Sequence, residues 1–358
     1  MSLLSLPIVE CSGDARALGH QQGEALRERI VAFIAQRLEA FEQYSRERGG
    51  PSVDQFRSAG VRCWQAYESW DPQGALEQAA IAEAAGVTAQ ELYATTNMTD
   101  VRDVLLLPAP AADEGCTSLL VPAAQTREKQ VIVGQTWDLN PTDLDFVVAV
   151  HRRPTSGVET WSVTCAGALS LTGMNARGVA IGTTNIKTRR SRVGVGYLGL
   201  LHRAIRAESL SEAALSIREA PRAAAHTYWL ADSAGALELE CDPDTVIERR
   251  ADTGPLARTN HCLADIMRGA EGEAPTASSQ KRLQRAEQWL RGALQDVASL
   301  RVLMRDRSDG VDSINRYTED EQGTTTNACI IAVPARRELW ACRGPADRGQ
   351  WIQLAFSH

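Results

Sequence analysis

The sequence predicts an α+β protein in which two β-sheets are stacked and helices cover their outer faces. Three observations point to this fold class. The first third of the chain has the apolar periodicity of helices, short strand-like runs dominate from Cys116 onwards, and pairs of helical segments separate groups of later strands. Elements in this order are expected to bury their apolar faces by stacking in layers.

Residues 8–103 read as predominantly helical. Apolar residues recur at intervals of three and four from residue 15 to about residue 48, where the run Gly49-Gly50-Pro51 ends the pattern. Ser52, followed three residues later by Gln55, is typical of a capping box that begins a second helix. An alanine-rich helix is expected over 75–85, and Thr88-x-x-Glu91 predicts a further capping box that opens a helix towards residue 103.

A boundary falls at residue 115. The run LLLPAPAAD over 105–113 is apolar and broken by prolines, which is typical of a linker. We therefore divide the chain into a helical region, 1–115, and a second region, 116–358. The second region contains predicted helices over 196–207, 210–219, 279–294 and 297–305. Its predicted strands cover 116–121, 131–137, 146–151, 160–166, 179–184, 226–231, 237–240, 245–249, 326–333, 338–342 and 351–356.

Composition narrows the function classes. The chain of 358 residues has a formal net charge of −7, which argues against general nucleic-acid binding because that needs a basic face. Its eight cysteines form no C-x-x-C pair, so metal-finger spacing is absent and most are expected to be buried thiols. No apolar run approaches the ~18 residues of a membrane span. We expect a cytoplasmic protein that binds neither nucleic acid nor a membrane.

The segment around Cys116 carries the strongest chemical signal. Its sequence is Asp-Glu-Gly-Cys-Thr-Ser, followed by an apolar run suited to a buried strand. Gly115 allows a bent backbone, in which the Cys116 thiol can attack the preceding carbonyl and form a thioester that water opens. The freed α-amine, with a pKa of about 7.7–8.0, can then act as a general base towards its own thiol. The alternative is that Cys116 is a small apolar residue at the start of a strand.

Other polar residues are candidate partners of this thiol. Asp138 ends a predicted strand that a hairpin would return beside Cys116, although an aspartate there is also typical of a turn. Asn260 can donate to a developing oxyanion, or simply bond to loop backbone. Asn175 lies in a predicted turn. His261 allows another mechanism, a cysteine–histidine dyad with Cys116 or Cys262 as the thiol. A basic run, Lys187, Arg189, Arg190 and Arg192, suits an acidic substrate or a solvated loop.

Together, these segments resemble the family of acyl-coenzyme A:6-aminopenicillanic acid acyltransferase, the C45 group of N-terminal-nucleophile hydrolases. No one of these segments is specific to the family on its own, but their occurrence in the family's order and spacing is. The similar segments are Ile8–Gly23, Gly115-Cys116-Thr117, Gly134–Asp138, Gly173–Val179, Thr259-Asn260-His261-Cys262 and Ala335–Glu338. The resemblance implies a four-layer αββα sandwich. It also implies autocatalytic cleavage between Gly115 and Cys116, giving a helical fragment and a catalytic fragment, 116–358, that stay associated.

The resemblance also implies roles for individual residues. Cys116 is the expected nucleophile and, through its amine, the base. Asp138 is expected to orient the amine, and Asn260 to supply the oxyanion contact. The residues expected to line the substrate site are Ser118, Trp137, Asn175 and His261.

The sequence also departs from the family pattern. The acid before the Gly-Cys pair is Glu114 instead of aspartate. The run Gln322-Gly323-Thr324 stands where the fungal enzyme of this family has a Ser-Arg pair. Arg282 is a candidate replacement for that arginine.

We therefore expect a self-processing cysteine amidase or acyltransferase that forms an acyl-Cys116 intermediate with a small amide or thioester. The expected partners are a small acyl amide, the chain's own N-terminal fragment and a second copy in a homo-oligomer. No cofactor is expected, although a coenzyme A thioester is an alternative acyl donor. The second hypothesis is a non-catalytic, uncut binding or scaffold protein on the same fold, and the third is a papain-like enzyme that uses His261.

Overall fold

The computed structural model describes residues 3–105, 115–272, 274–321 and 323–357, with only the backbone for Arg48. Most of the predicted linker, together with Glu114 and Gln322, lies outside these residues. The helices are α1 (Ala15–Arg48), α2 (Val53–Trp70), α3 (Pro72–Ala85), α4 (Ala89–Thr96), α5 (Met98–Val104), α6 (Tyr197–Ile205), α7 (Leu210–Arg218), α8 (Asp265–Arg268), α9 (Ala277–Leu290) and α10 (Val297–Met304). The strands are β1 (Ile8–Gly13), β2 (Gly115–Val121), β3 (Ile132–Leu139), β4 (Val147–Pro154), β5 (Thr160–Cys165), β6 (Thr172–Asn175), β7 (Ala180–Asn185), β8 (His226–Ala231), β9 (Ala236–Cys241), β10 (Val246–Arg250), β11 (Leu256–Arg258), β12 (Thr325–Val333), β13 (Glu338–Arg343) and β14 (Ile352–Gln353).

The helix ends in the first region follow their local sequence signals. The helix α1 ends at Gly49, whose φ of 61° is the left-handed conformation that glycine adopts without strain. Ser52 and Gln55 form the predicted capping box of α2. The helix predicted from Thr88 is correctly capped, but it is interrupted at Asn97, and α5 is a separate short helix.

Strand β1 is an exception to the prediction that residues 8–103 are predominantly helical, and the prediction did not include it. Strand β1 pairs in parallel with β4 at one edge of a sheet. Its side chains alternate as a strand requires, with Val9 and Cys11 buried and Ile8 and Glu10 exposed. The prediction missed β1 because its pairing partner is far away in the sequence, and six residues alone gave no competing signal against the helical periodicity that follows.

The strands form an eight-stranded sheet and a six-stranded sheet within the described residues. The larger sheet has the order β1-β4-β5-β6-β7-β8-β9-β10, and the smaller has the order β11-β2-β3-β12-β13-β14. Residues 173–178, predicted as a turn alone, contribute the end of β6 before the chain turns into β7. In the smaller sheet, strands β2 and β3 each have a neighbouring strand on both sides, and nearly all of their residues are buried.

Alternation along β2 shows how the layers stack. Leu120 belongs to the core between the sheets, which also contains residues of β4, β5 and β8. Its neighbours Leu119 and Val121 belong to a second core with residues of α9 and α10. Helices α1, α6 and α7 contact the outer face of the larger sheet. The predicted four-layer αββα sandwich is therefore confirmed.

Candidate active site

Cys116 lies at the start of β2, beside the end of β3. The antiparallel register places Gly115 opposite Asp138, and Cys116 opposite Trp137. The hairpin between these strands thus returns Asp138 beside the thiol-bearing segment, as the sequence spacing predicts. A Cβ atom at position 115 would lie 2.7 Å from Asp138 Oδ2 and 3.1 Å from the guanidinium carbon of Arg316, so only glycine fits between these groups.

A small cavity of about 30 Å³ lies against Cys116. This volume suits a water molecule or the end of a short acyl group. Cys116 is 7% exposed, so the thiol is reached through this cavity rather than from open solvent. The lining residues are Thr99, Cys116, Trp137, Asp138, Leu139, Leu171, Thr183, Asn185, Tyr197, His226 and Asn260.

Asn260 contacts the backbone of the candidate nucleophile. Its Oδ1 atom accepts a hydrogen bond from the Cys116 backbone N–H at 2.8 Å, and its Nδ2 atom donates to the carbonyl oxygen of Asn185 at 3.0 Å. The Nδ2 atom carries two N–H bonds and the contact with Asn185 uses one, so the oxyanion contact of Asn260 stays a prediction. In this structure the residue also holds the nitrogen of Cys116.

Arg282 of α9 is buried beneath the same segment. Its Nη1 atom donates to the Cys116 carbonyl and, at 3.2 Å, to Thr117 Oγ1. Its Nη2 atom donates to Asn260 Oδ1 at 3.0 Å. The planar guanidinium, which offers five donors in a fixed geometry, thus ties β2 to the Asn260 loop.

Asp138 is a buried carboxylate beside two cations. Its Oδ2 atom lies 3.8 Å from Arg316 Nε, and both side chains are at most 1% exposed. Burial raises the pKa of the Asp138 carboxyl to about 6, because it disfavours the charged form more than Arg316 and Arg282 favour it. A carboxyl pKa raised in this direction is typical of groups that transfer protons, although structural ion pairs produce such shifts as well.

The loop that carries Asn260 is anchored by a buried ion cluster. Arg258 forms ion pairs with Glu238 and Glu240, and its Nη1 atom donates to the His261 carbonyl at 3.1 Å. A buried charge of this kind is stable only when several partners satisfy it. The cluster fixes the backbone on either side of Asn260 and so fixes the side chain against Cys116.

His261 points away from the cavity. Its Nδ1 atom lies 2.8 Å from Ser279 Oγ, and the residue is absent from the cavity lining, which contradicts its predicted place in the substrate site. Burial, with Arg258 and Arg282 nearby, lowers the pKa of His261 to about 4. Burial raises the pKa of Cys262, so this thiol is a poor source of thiolate. The geometry therefore disfavours the dyad hypothesis.

Asn175 also differs from its predicted place. Its Nδ2 atom donates to the carbonyls of Ile205 and Ala207, at 2.8 and 2.7 Å. Its Oδ1 atom accepts from the backbone of Arg177 and Val179, at 2.9 and 3.0 Å. All four hydrogen-bonding positions of the amide are used by backbone. Asn175 thus stabilises the β6–β7 turn, and it does not line the cavity.

Two further predicted substrate-site residues lie on β2 and β3. Trp137 lines the cavity. Ser118, two residues after Cys116 on the same face of β2, bonds to Thr184 Oγ1 at 2.9 Å and does not reach the cavity. Its hydroxyl links the two sheets and is a structural contact.

The predicted basic run, Lys187, Arg189, Arg190 and Arg192, is partly engaged in ion pairs. Arg190 pairs with Asp242 at 3.2 Å, and Arg192 pairs with Asp244 at 2.6 Å, so part of the run is neutralised by neighbouring acids.

Among the described residues no three His, Cys, Asp or Glu side chains are grouped as a metal site would need. In the same part of the chain, no helix is long and apolar enough to cross a membrane.

Sequence reasoning missed Arg316, Asn185, Tyr197 and His226 as members of this site. Arg316 lies in a segment that reads as a polar loop, yet it is 1% exposed and takes a place beside Asp138. Asn185 ends β7, where the predicted strand stopped one residue earlier. No local motif marks any of the four. Asn185, Tyr197 and His226 reach the cavity, and Arg316 reaches Asp138, only through the packing of distant elements.

Comparison with known proteins identifies relatives. A sequence model described as acyl-coenzyme A:6-aminopenicillanic acid acyl-transferase matches residues 125–347. The structure is similar to that of penicillin V acylase from Agrobacterium tumefaciens, with a TM-score of 0.43 and 13% identity, covering 67% of this chain and 86% of the other. A mutant of the conjugated bile acid hydrolase from Clostridium perfringens gives a TM-score of 0.35 and 9% identity, covering 68% and 97%. No curated protein sequence matches.

Proposed function

Because the chain belongs to the acyl-coenzyme A:6-aminopenicillanic acid acyl-transferase family, we propose that it is a self-processing cysteine amidase or acyltransferase that works through an acyl-Cys116 intermediate. Amide hydrolysis of a small N-acyl compound is the favoured reaction. The small cavity is consistent with this choice, because about 30 Å³ beside the thiol suits the water that completes hydrolysis or the end of a short acyl group.

The hydrogen bond between Cys116 N and Asn260 Oδ1 is the observation that carries the proposal. At 2.8 Å, it holds the nitrogen that becomes the α-amine after cleavage. An ordinary strand residue would direct this N–H to another strand. Here a side chain takes it, so the nitrogen is already placed for use as a base beside its own thiol.

The proposed reaction begins with self-cleavage. The Cys116 thiol gives its proton to the Asp138 carboxylate, and Sγ attacks the Gly115 carbonyl carbon. The C–N bond breaks as the C–S bond forms, and the nitrogen takes the proton from Asp138 to become the α-amine. Water then opens the thioester and leaves a carboxyl group on Gly115. The positive charges of Arg282 and Arg316 keep enough of Asp138 ionised to start this sequence.

Turnover reuses the same atoms. The α-amine takes the thiol proton, Sγ attacks the acyl carbon of the substrate, and the protonated amine gives its proton to the leaving amine. Water or an amine acceptor then attacks the acyl-Cys116 thioester and releases the product. Hydrolysis and acyl transfer share the first half of this sequence and differ only in the second nucleophile. A coenzyme A thioester would enter by the same acylation step.

The N-terminal fragment, 1–115, is a proposed working part of the enzyme. Thr99, from α5, lines the Cys116 cavity although it precedes the proposed cut. Asp100 accepts a hydrogen bond from the backbone N–H of Tyr197, at 2.8 Å, and so holds a residue of the second region. Removal of the fragment would open one wall of the cavity.

Intact mass under denaturing conditions tests the proposal. We expect two polypeptides that correspond to residues 1–115 and 116–358, the larger with Cys116 at its N-terminus. One uncut chain, with a Cys116 that is inert to thiol reagents, would favour the scaffold hypothesis and reject the proposed chemistry.

We expect Asp138→Asn to stabilise the uncut fold above pH 6 while it impairs self-cleavage. The folded pKa of about 6 lies above the ordinary value of 3.8, so the folded carboxyl binds its proton more tightly than the unfolded one. The folded state therefore loses free energy of unfolding as the pH rises from 3.8 to about 6, by about 3 kcal/mol in all. Asparagine, which cannot ionise, avoids this loss. Denaturant unfolding of uncut Cys116→Ala protein, with and without Asp138→Asn, measures the difference.

Asp143 provides the matched control. Burial raises its pKa to about 6 as well, but it pairs with Arg37 and does not line the cavity. We expect Asp143→Asn to give the same pH-dependent gain in stability and to leave self-cleavage intact. Normal cleavage in Asp138→Asn would show that its carboxylate has no part in the reaction.

A further inference from the structure

A second histidine, His226 at the start of β8, lines the Cys116 cavity together with Tyr197 of α6. Its Nε2 atom lies 2.6 Å from Asp100 Oδ1, and both side chains are 2% exposed. The ring of Tyr197 stacks on the imidazole, with 4.7 Å between the ring centroids. The imidazole is therefore held by a carboxylate at one nitrogen and by an aromatic ring on one face.

Asp100 is itself fixed. Its Oδ2 atom accepts the backbone N–H of Tyr197 at 2.8 Å, so Oδ1 is left to face His226. A carboxylate in this position favours the tautomer in which Nε2 carries the proton. The other ring nitrogen, Nδ1, then presents a lone pair.

The Nδ1 atom of His226 is buried and has no hydrogen-bond partner among the described residues. A buried polar atom without a partner costs about 1–3 kcal/mol. The cost is removed when a molecule in the cavity that His226 lines donates a hydrogen bond to this nitrogen.

We propose that His226, oriented by Asp100, is the base that takes the proton of the nucleophile attacking acyl-Cys116. The inference rests on the proposed function and assigns its second half-reaction. It gives the site two bases, the α-amine for the thiol and His226 for the acceptor. The acceptor it suits is a neutral O–H or N–H donor small enough for the cavity, namely water or a primary amine.

The oxygen or nitrogen of the acceptor forms a bond to the acyl carbon while its proton passes to Nδ1 of His226. The C–S bond breaks, and its electron pair stays on Sγ of Cys116. The imidazolium, still bonded to Asp100 through Nε2–H, returns the proton to the thiolate. The enzyme thereby returns to its starting protonation state, with a free Cys116 thiol and a neutral His226.

Turnover of p-nitrophenyl acetate by the purified protein isolates this step. The p-nitrophenolate group leaves without being protonated, so the thiol is acylated quickly and deacylation limits the rate. We expect His226→Gln to be cut normally and to release an initial burst of p-nitrophenol. Its steady-state rate should then fall about 100-fold or more, the usual contribution of a general base. The fragment 116–358 should keep one acetyl group in intact-mass spectra, and KM should fall with kcat because deacylation limits both.

Asp100→Asn is the second variant, for use where His226→Gln fails to fold. An asparagine that keeps the hydrogen bond to Tyr197 N–H must present its NH₂ to Nε2, which reverses the tautomer and puts the proton on Nδ1. We expect the same burst, the same acetylated fragment and a similarly slow second phase.

His202→Gln is the matched control. His202 is as buried as His226 and faces a buried carboxylate, Glu77, at 3.2 Å, but it does not line the cavity. It should lower thermal stability without leaving the fragment acetylated. Wild-type turnover in His226→Gln, or equal loss of burst and steady state in all three variants, would overturn the assignment of His226 alone. A wild-type protein that the ester never acetylates at Cys116 would overturn the proposed function with it.

Discussion

The variant Cys116→Ala is expected to remain a single uncut chain and to lose turnover by a factor on the order of 10⁶. The change removes the only atom that both reactions use to form a covalent bond, since self-cleavage and acylation start from the same Sγ. The fold should survive, because alanine fits the position of a small buried side chain. Intact mass reports cleavage, and hydrolysis of a short-chain acyl anilide reports turnover.

Cys262→Ala is the control for this variant. Cys262 is a buried cysteine two residues after Asn260, and its thiol is the alternative nucleophile of the dyad hypothesis. We expect it to be cut and active. Should Cys116→Ala retain turnover while Cys262→Ala or His261→Ala loses it, the N-terminal-nucleophile mechanism is wrong and the dyad mechanism takes its place.

The second large effect is expected at Arg282. Replacement by methionine keeps an unbranched apolar stem but removes the donors to Cys116 O, Thr117 Oγ1 and Asn260 Oδ1. Asn260 then loses one of the groups that fix its oxygen against the nitrogen of Cys116. We expect kcat to fall about 10²–10³-fold, the size measured when one preorganised donor is lost elsewhere. Steady-state kinetics on the same anilide measures this.

Two other variants distinguish the effect of the hydrogen-bonding geometry of Arg282 from the effect of its positive charge. Arg282→Lys keeps the charge but offers a point donor in place of a planar fork, so it should recover only a small part of the rate. Arg285→Met, one turn along α9, removes a partly exposed guanidinium that pairs with Asp306 and should leave the rate unchanged. Full activity of Arg282→Met would show that Asn260 and β2 do not need this tether.

The sequence allowed most of the fold to be predicted, because the signals were local. Capping residues such as Ser52 marked helix starts, and runs rich in β-branched and aromatic residues marked strands such as β8, whose bounds match the prediction. The pairing of Cys116 with the Asp138 strand also followed from local spacing, since the two strands are consecutive and the connection over 122–131 joins them as an antiparallel pair.

What was missed depends on contacts between distant segments. Strand β1 needs β4 to be a strand at all. Arg316 and His226 become site residues only when sheets and helices stack, and nothing in their own neighbourhoods distinguishes them from loop or core residues. Asn175 and Ser118 were misplaced for the converse reason, because a turn and an inter-sheet contact use the same residue types as a substrate site.

The parallel pairing of β1 with β4 has a consequence for the lifetime of the enzyme. If the chain is cut before Cys116, β1 and the helices that follow it belong to one polypeptide, while β4 belongs to another. Refolding then becomes a second-order event that depends on protein concentration, whereas the uncut precursor folds in one molecule. The mature enzyme would be formed once and would not re-form readily after heating. Its working life would be set by its rate of unfolding instead of its equilibrium stability.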